Sequence, residues 1–149
     1  MDSSASAVSA GESLSLGKVA AAWKVLRPAL WSSPLLHCPT LEELSGYQVW
    51  LKAENLQRTG SYKIRGAYYK LHRLKEEGRT RKVVAASAGN HAQGVAYAAR
   101  ELGLECVIVM PERAALPKRR ATERYGAKVL LEGSCFDDSL AFALQYAPA

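Results

Sequence analysis

Three short apolar runs, with helix-like segments between them, govern what this chain can fold into. Val83-Val84-Ala85-Ala86, Cys106-Val107-Ile108-Val109-Met110 and Val129-Leu130-Leu131 are unbroken by charge, as expected of strands covered on both faces. Between them run His91 to Leu102, closed at Gly103, and Lys118 to Tyr125, stopped by Gly126, and a last helical pattern begins at Asp137 and reaches Tyr146. Strand, helix, strand, helix, strand at this spacing predicts βαβ units around a parallel sheet, and hence the α/β class.

The pattern upstream is different. Val19, Ala22, Trp23, Leu26 and Leu30 recur at helical spacing until Pro28 and Pro34 bring the helix to a close. Thr40 followed by Glu43 resembles a capping box for a short helix ending at Gly46. Tyr47 to Ala53 is β-prone and reads as a strand, and Glu54 to Gly60 as a polar loop. Ser61 is then expected to cap a long helix with Ile64, Ala67, Tyr68, Leu71 and Leu74 facing inward, closed by Gly78. Residues 1–17, rich in Ser, Ala and Gly, read as a mobile tail, residues 18–149 as the folded region, and roughly 54–149 as a smaller parallel-sheet domain. The tail lacks the basic start and apolar stretch of a secretory signal. It also lacks arginine and carries Asp2 and Glu12, against a transit peptide. Three parallel strands make a poor free-standing sheet, so the architecture is expected to be an unfinished N-terminal portion of something larger.

Composition narrows the function. With 149 residues, 48% apolar and 23% charged, the chain is a folded soluble protein rather than a disordered one. Its net charge of +6, from 20 basic and 14 acidic residues, is too dispersed for a dedicated nucleic-acid binder. No apolar run approaches the ~18 residues of a membrane span. Cys38, Cys106 and Cys135 are scattered without CxxC spacing, which argues against a disulfide scaffold or a cysteine zinc site and for a reducing compartment. His37 and His72 have no partner at metal-ligand spacing. Trp23, Trp31 and Trp50 read as core or interface aromatics. Lys118-Arg119-Arg120 with Arg124 reads as a solvated basic helix face.

Two places are candidates for chemistry. Ser87-Ala88-Gly89-Asn90-His91 lies where a strand gives way to a helix, the position at which open α/β sheets bind ligands. Its exposed amides and the helix dipole favour a carboxylate or phosphate, Gly89 permits close approach, and Ser87, Asn90 and His91 add hydrogen-bonding side chains. The alternative is a simple capping turn. Lys63, in the first turn of its helix, is the second candidate. The positive end of the dipole should lower its pKa, and a partly neutral amine can form a Schiff base with a carbonyl. A solvated surface lysine is the alternative there, and Arg65 and Lys70 read as charged surface groups.

Glu54-Asn55-Leu56-Gln57-Arg58-Thr59-Gly60-Ser61-Tyr62-Lys63-Ile64-Arg65-Gly66-Ala67, followed by Ser87-Ala88-Gly89-Asn90-His91-Ala92-Gln93-Gly94, closely resembles the threonine dehydratase group of the fold-type II pyridoxal-phosphate enzymes, the tryptophan synthase β-like superfamily. Val109-Met110-Pro111, Pro117-Lys118, Ala121-Thr122 and Tyr125-Gly126-Ala127 through Glu132-Gly133 continue the likeness, which spans about Val19 to Gly133. The resemblance implies a role for each motif residue. Lys63 would hold pyridoxal phosphate and later move protons, and Tyr62, where the family usually has Phe, would pack beside its ring. Asn90 would hydrogen-bond the ring hydroxyl, while Ser87, Gly89 and His91 would hold the substrate carboxylate.

The reaction so implied is β-elimination of L-threonine, or L-serine, to 2-oxobutanoate or pyruvate and ammonia. The expected enzyme is cytoplasmic, acts in amino-acid metabolism such as isoleucine biosynthesis, and is a homo-oligomer when complete, with neither membrane nor nucleic acid as partner. Serine racemase is a close relative with a serine where this chain has Ala88, which favours dehydration. Cysteine-synthase-like β-replacement and a noncatalytic, partner-dependent remnant are the other readings. The family's glycine-rich phosphate loop and its later Ser or Cys facing the pyridine nitrogen have no counterpart in these 149 residues. Weak or no cofactor retention is therefore expected.

Overall fold

In the computed structural model, residues 13–147 are described, and within them the α/β expectation holds. Strands β3 (Lys82–Ala86), β4 (Glu105–Met110) and β5 (Lys128–Leu131) form a parallel sheet in that order, with Val84 opposite Val107 and Ile108 opposite Val129. Helices α4 (Asn90–Leu102) and α5 (Leu116–Arg124) make the two crossovers, and α6 (Phe136–Tyr146) returns over β3 and β4.

The central strand shows why its sequence reads as a continuous apolar run. Cys106, Ile108 and Met110 belong to the main core with α4, whereas the alternate residues Val107 and Val109 are also buried but point to the opposite face. On α6, Ser139 and Ala143 are buried one turn apart, and the small side chains let the helix lie close to the sheet. The Ser139 hydroxyl donates 2.7 Å to the carbonyl of Glu132, which satisfies it away from water. Helix α4 is mostly alanine on its buried sides (Ala92, Ala96, Ala98, Ala99) because it is packed between the sheet, α5 and α3 (Lys63–Glu76). Burial raises the Cys106 thiol to about 12, so it behaves as a small apolar group.

Upstream, several expectations are corrected. The mobile-tail expectation falls partly on positions 1–12, outside the described residues. At its other end, Ser15 caps helix α1 (Leu16–Leu26), its hydroxyl accepting from the amide of Lys18 at 3.3 Å. The short helix α2 (Pro39–Ser45) does end at Gly46, in the left-handed conformation at φ 73°, but its N-cap is Cys38 with Pro39 following. The Thr40–Glu43 box is absent because the helix is already under way at Thr40, inside its first turn. Of Tyr47 to Ala53 only β2 (Trp50–Lys52) is strand, and it pairs antiparallel with an unforeseen strand β1 (Leu35–His37). Both strands are exposed throughout, with Leu35, Leu36, Trp50 and Leu51 all open to solvent. Trp23, Trp31 and Trp50 are about half exposed rather than core residues. No described helix is long and apolar enough to cross a membrane.

Candidate functional site

The turn after β3 is held by the sheet itself. The amide of Ser87 donates to the carbonyl of Val109 at 3.0 Å, extending the ladder one residue beyond the strand. The Ser87 hydroxyl then accepts from the amides of Ala92 (3.2 Å) and Gly89 (3.4 Å). Ser87 thus caps α4, yet its own hydroxyl proton stays available to an acceptor. The amides of Asn90 and His91 have no acceptor among the described residues. Two free amides, a hydroxyl and the positive end of a 13-residue helix make this an anion-attracting turn. A Cβ placed on Gly89 would meet nothing within 4 Å, so the space beside the turn is open. The Asn90 and His91 side chains are exposed at its rim.

Lys63 is the first residue of α3, and its side chain is exposed, with Nζ 5.1 Å from the Tyr62 ring centroid. The expected cap is corrected here. Tyr62 is the N-cap and makes no side-chain bond, while the hydroxyls of Ser61 and Thr59 are buried without partners. The helix begins one residue too late for Ser61 to reach its amides. Something other than a cap must hold this first turn.

Gly94 is part of the answer. A Cβ on Gly94 would lie 3.2 Å from the Ile64 Cα and N and 3.3 Å from the Lys63 carbonyl carbon. A side chain here would be tighter than ordinary contact and would require α4 and the start of α3 to part by a few tenths of an ångström. Gly94 follows Asn90 by one helical turn on the same face of α4, so the contact that seats Lys63 also fixes it relative to the anion-attracting turn. The two are close enough to interact electrically. The pKa of His91 is lowered, first because neighbouring protein withdraws water from its ring and second through the positive charge of Lys63. In the linear sequence Gly94 stands only as the last residue of the Ser87–Gly94 motif, and its spacing alone gives it no role, since the demand for it comes from another element.

Arg65 is not the loose surface charge expected. Its Nε and Nη2 grip Glu54 at 2.8 and 2.7 Å, and the Ser33 hydroxyl donates to the same carboxylate. The guanidinium beside Glu54 holds that carboxyl below its usual range. The loop between them is anchored by Gln57, which is buried and copies a strand partner. Its Oε1 accepts from the amide of Trp31 (3.1 Å), and its Nε2 donates to the Trp31 carbonyl (2.7 Å). The remaining candidates take no part. His37 pairs with Glu42 at 2.9 Å, Arg119 on the basic helix pairs with Glu123, and no metal-binding cluster occurs among the described residues.

One consequence is measurable by NMR titration. Replacing Lys63 by methionine removes the positive neighbour, so the His91 pKa should rise. It should not return to the ordinary value, because withdrawal of water from the ring, the larger cause, remains. An unchanged His91 pKa would separate the two residues electrically.

The structure thus brings an exposed lysine close to an anion-attracting turn at the carboxyl end of a parallel strand, the end at which open α/β sheets bind their ligands. Residues 26–149 match the family of pyridoxal-phosphate dependent enzymes, and the chain belongs to that family. It is 48% identical over 132 residues to an L-threonine ammonia-lyase of Thermotoga maritima, covering 89% of this chain and 33% of that one. Its structure is similar to the processed form of threonine deaminase isoform 2 from Solanum lycopersicum, with TM-score 0.76, 33% identity, and coverage of 89% of this chain and 38% of that. It is also similar to serine racemase of Dictyostelium discoideum, with TM-score 0.79, 34% identity, and coverage of 89% and 43%. The chain therefore spans about a third of the length of the ammonia-lyase it matches, and the family around it includes both lyases and racemases.

Proposed function

We propose that this chain provides the lysine and the carboxylate-binding turn of a pyridoxal-phosphate enzyme that deaminates L-threonine, and secondarily L-serine, by β-elimination of water and hydrolysis of the resulting enamine, to give 2-oxobutanoate or pyruvate and ammonia. The observation that carries the reading is the adjacency of Lys63 and the Ser87–His91 turn, felt by His91 as a charge and enforced at Gly94. The donors suit the cofactor. Lys63 offers an exposed primary amine for its aldehyde, Tyr62 an exposed ring to lie beside its own, and Asn90 an exposed amide for its hydroxyl. Ser87, Gly89 and His91, with the free amides of Asn90 and His91, take the carboxylate of the amino acid.

The cofactor, when bound, supplies the electron sink that makes the substrate's α-hydrogen acidic. Lys63 Nζ removes that proton, hydroxide leaves from the β-carbon, and water then hydrolyses the released enamine to the 2-oxo acid and ammonia. His91, with its pKa lowered, reaches the neutral form more readily and adds a hydrogen bond rather than a second positive charge. Ala88 packs against the core and offers no second proton donor, which favours elimination over racemisation. Support for threonine comes from the ammonia-lyase and deaminase similarities. The cytoplasm is the proposed location and a homo-oligomer the proposed complete form. The three cysteines, all free, suit a reducing compartment.

The test is covalent trapping. The chain is incubated with pyridoxal phosphate, reduced with borohydride, and mapped by peptide mass spectrometry. Most of the label should fall on Lys63, and Lys63→Ala should lose it while labelling elsewhere is unchanged. Label spread over the exposed lysines without preference would end this reading.

A further inference from the structure

We propose that Arg65, through its forked bond to Glu54, is the positioning residue that fixes the first turn of α3 and so aims Lys63. The inference deepens the reading of Lys63 as the cofactor lysine and rests on it.

Helix starts are the places where chains fray, because the first amides have no acceptor within the helix. Most starts are secured by a side-chain cap. This one has none, and its nearest hydroxyls, Thr59 and Ser61, are buried without partners. The turn is held from its sides instead. On one side, the Ile64 and Lys63 backbone abuts α4 at Gly94. On the other is Arg65, which lies two residues beyond Lys63 and so roughly 200° around the helix, on nearly the opposite face.

The pair Arg65 makes is not an ordinary surface ion pair. It is bidentate, and the side chains of Arg65 and Glu54 are only 24% and 15% exposed. Such geometry gives both strength and a fixed orientation, where a mobile exposed pair would give neither. Its connections also reach widely. The Ser33 hydroxyl donates to Glu54, Arg65 Nη2 lies 3.3 Å from that hydroxyl, and Lys52 Nζ donates to the Ser33 carbonyl at 2.5 Å. The segment before β1, the end of β2, the polar loop and the reactive helix thus meet around one carboxylate. With Gln57 clamped to the Trp31 backbone, the first half of the segment that leads into Lys63 is held at two points.

A lysine side chain has four rotatable bonds, so anchoring its backbone only narrows the region its amine samples. For a site assembled from two elements that narrowing matters. It keeps Nζ on the side of α3 that faces the Ser87–His91 turn. Loss of the pair should leave the sheet and α4 intact and loosen the turn that carries Lys63.

The experiment compares wild type with Arg65→Ala, Arg65→Lys and Glu54→Gln, using two measurements on the whole chain. Hydrogen exchange followed by mass spectrometry reads the amides of residues 62–66 against those of α4. Borohydride trapping with pyridoxal phosphate reads the share of label on Lys63 against Lys70 and Lys82. Arg65→Ala and Glu54→Gln should each speed exchange at 62–66 about tenfold, leave α4 unchanged, and cut the Lys63 share several-fold. Arg65→Lys, which keeps the charge but not the fork, should restore part of both. Unchanged exchange at 62–66 in Arg65→Ala and Glu54→Gln overturns the proposal, as does faster exchange that extends equally through α4. If wild type itself shows no preference for Lys63, the functional reading fails, and the exchange rates alone then decide whether Arg65 fixes the turn.

Discussion

Gly94→Val is expected to lower stability by about 2 kcal/mol and to cut cofactor trapping at Lys63 several-fold. Two effects oppose each other. Any replacement of a helical glycine gains helix propensity, up to ~1 kcal/mol for alanine and less for valine. Against that, the new Cβ would lie 3.2–3.3 Å from backbone atoms of Ile64 and Lys63, and valine adds two methyl groups in the same gap. Overpacking of this kind costs roughly 1–3 kcal/mol, and backbone cannot rotate aside as a side chain can. Overpacking wins, and it acts by moving α3 away from α4, the displacement that separates Lys63 from the anion-attracting turn. Urea unfolding and peptide mapping of the trapped adduct give the two readouts. Gly94→Ala should show the same direction at smaller size. A valine variant as stable as wild type, with Lys63 labelled as before, would mean that this contact seats nothing.

The second large effect is expected in the sheet. Ile108 is fully buried at the middle of the central strand, inside the cluster shared with α4. Ile108→Ala should cost about 3–4 kcal/mol, from lost transfer energy and a cavity that the flanking strands cannot close. For a domain whose whole stability is ~5–15 kcal/mol that is a large share. Ile108→Val, which removes one methylene, should cost about 1 kcal/mol. A shift of the urea midpoint at constant slope is the expected form. A loss below about 1 kcal/mol for the alanine variant would mean that this core is loosely packed.

Much of this architecture is legible in the chain. The parallel sheet is announced by Val83–Ala86, Cys106–Met110 and Val129–Leu131, because a strand covered on both faces has no polar side to disguise it, and the helix stops are written in glycine. Segments whose structure depends on distant partners read less well. Leu35–His37 becomes strand only by pairing with Trp50–Lys52, and three residues after a proline carry no periodicity of their own. Ser61 has the right chemistry for a cap and the wrong position, by a single residue.

The candidate site divides along the same line. Lys63 and Ser87–His91 stand out by residue type at element junctions. Arg65 looks like any exposed helix cation until Glu54, in the preceding loop, is seen to grip it. Gly94 has no chemistry at all and matters only through what approaches it.

The antiparallel pair β1 and β2 turns aliphatic and indole groups toward water on a flap that no other described element covers. Its wetting carries a standing free-energy cost that colloidal behaviour will register before any assay does. The purified chain should tolerate dilution better than crowding and adhere to nonpolar media, and it should be handled as a lipophilic body despite its cationic charge.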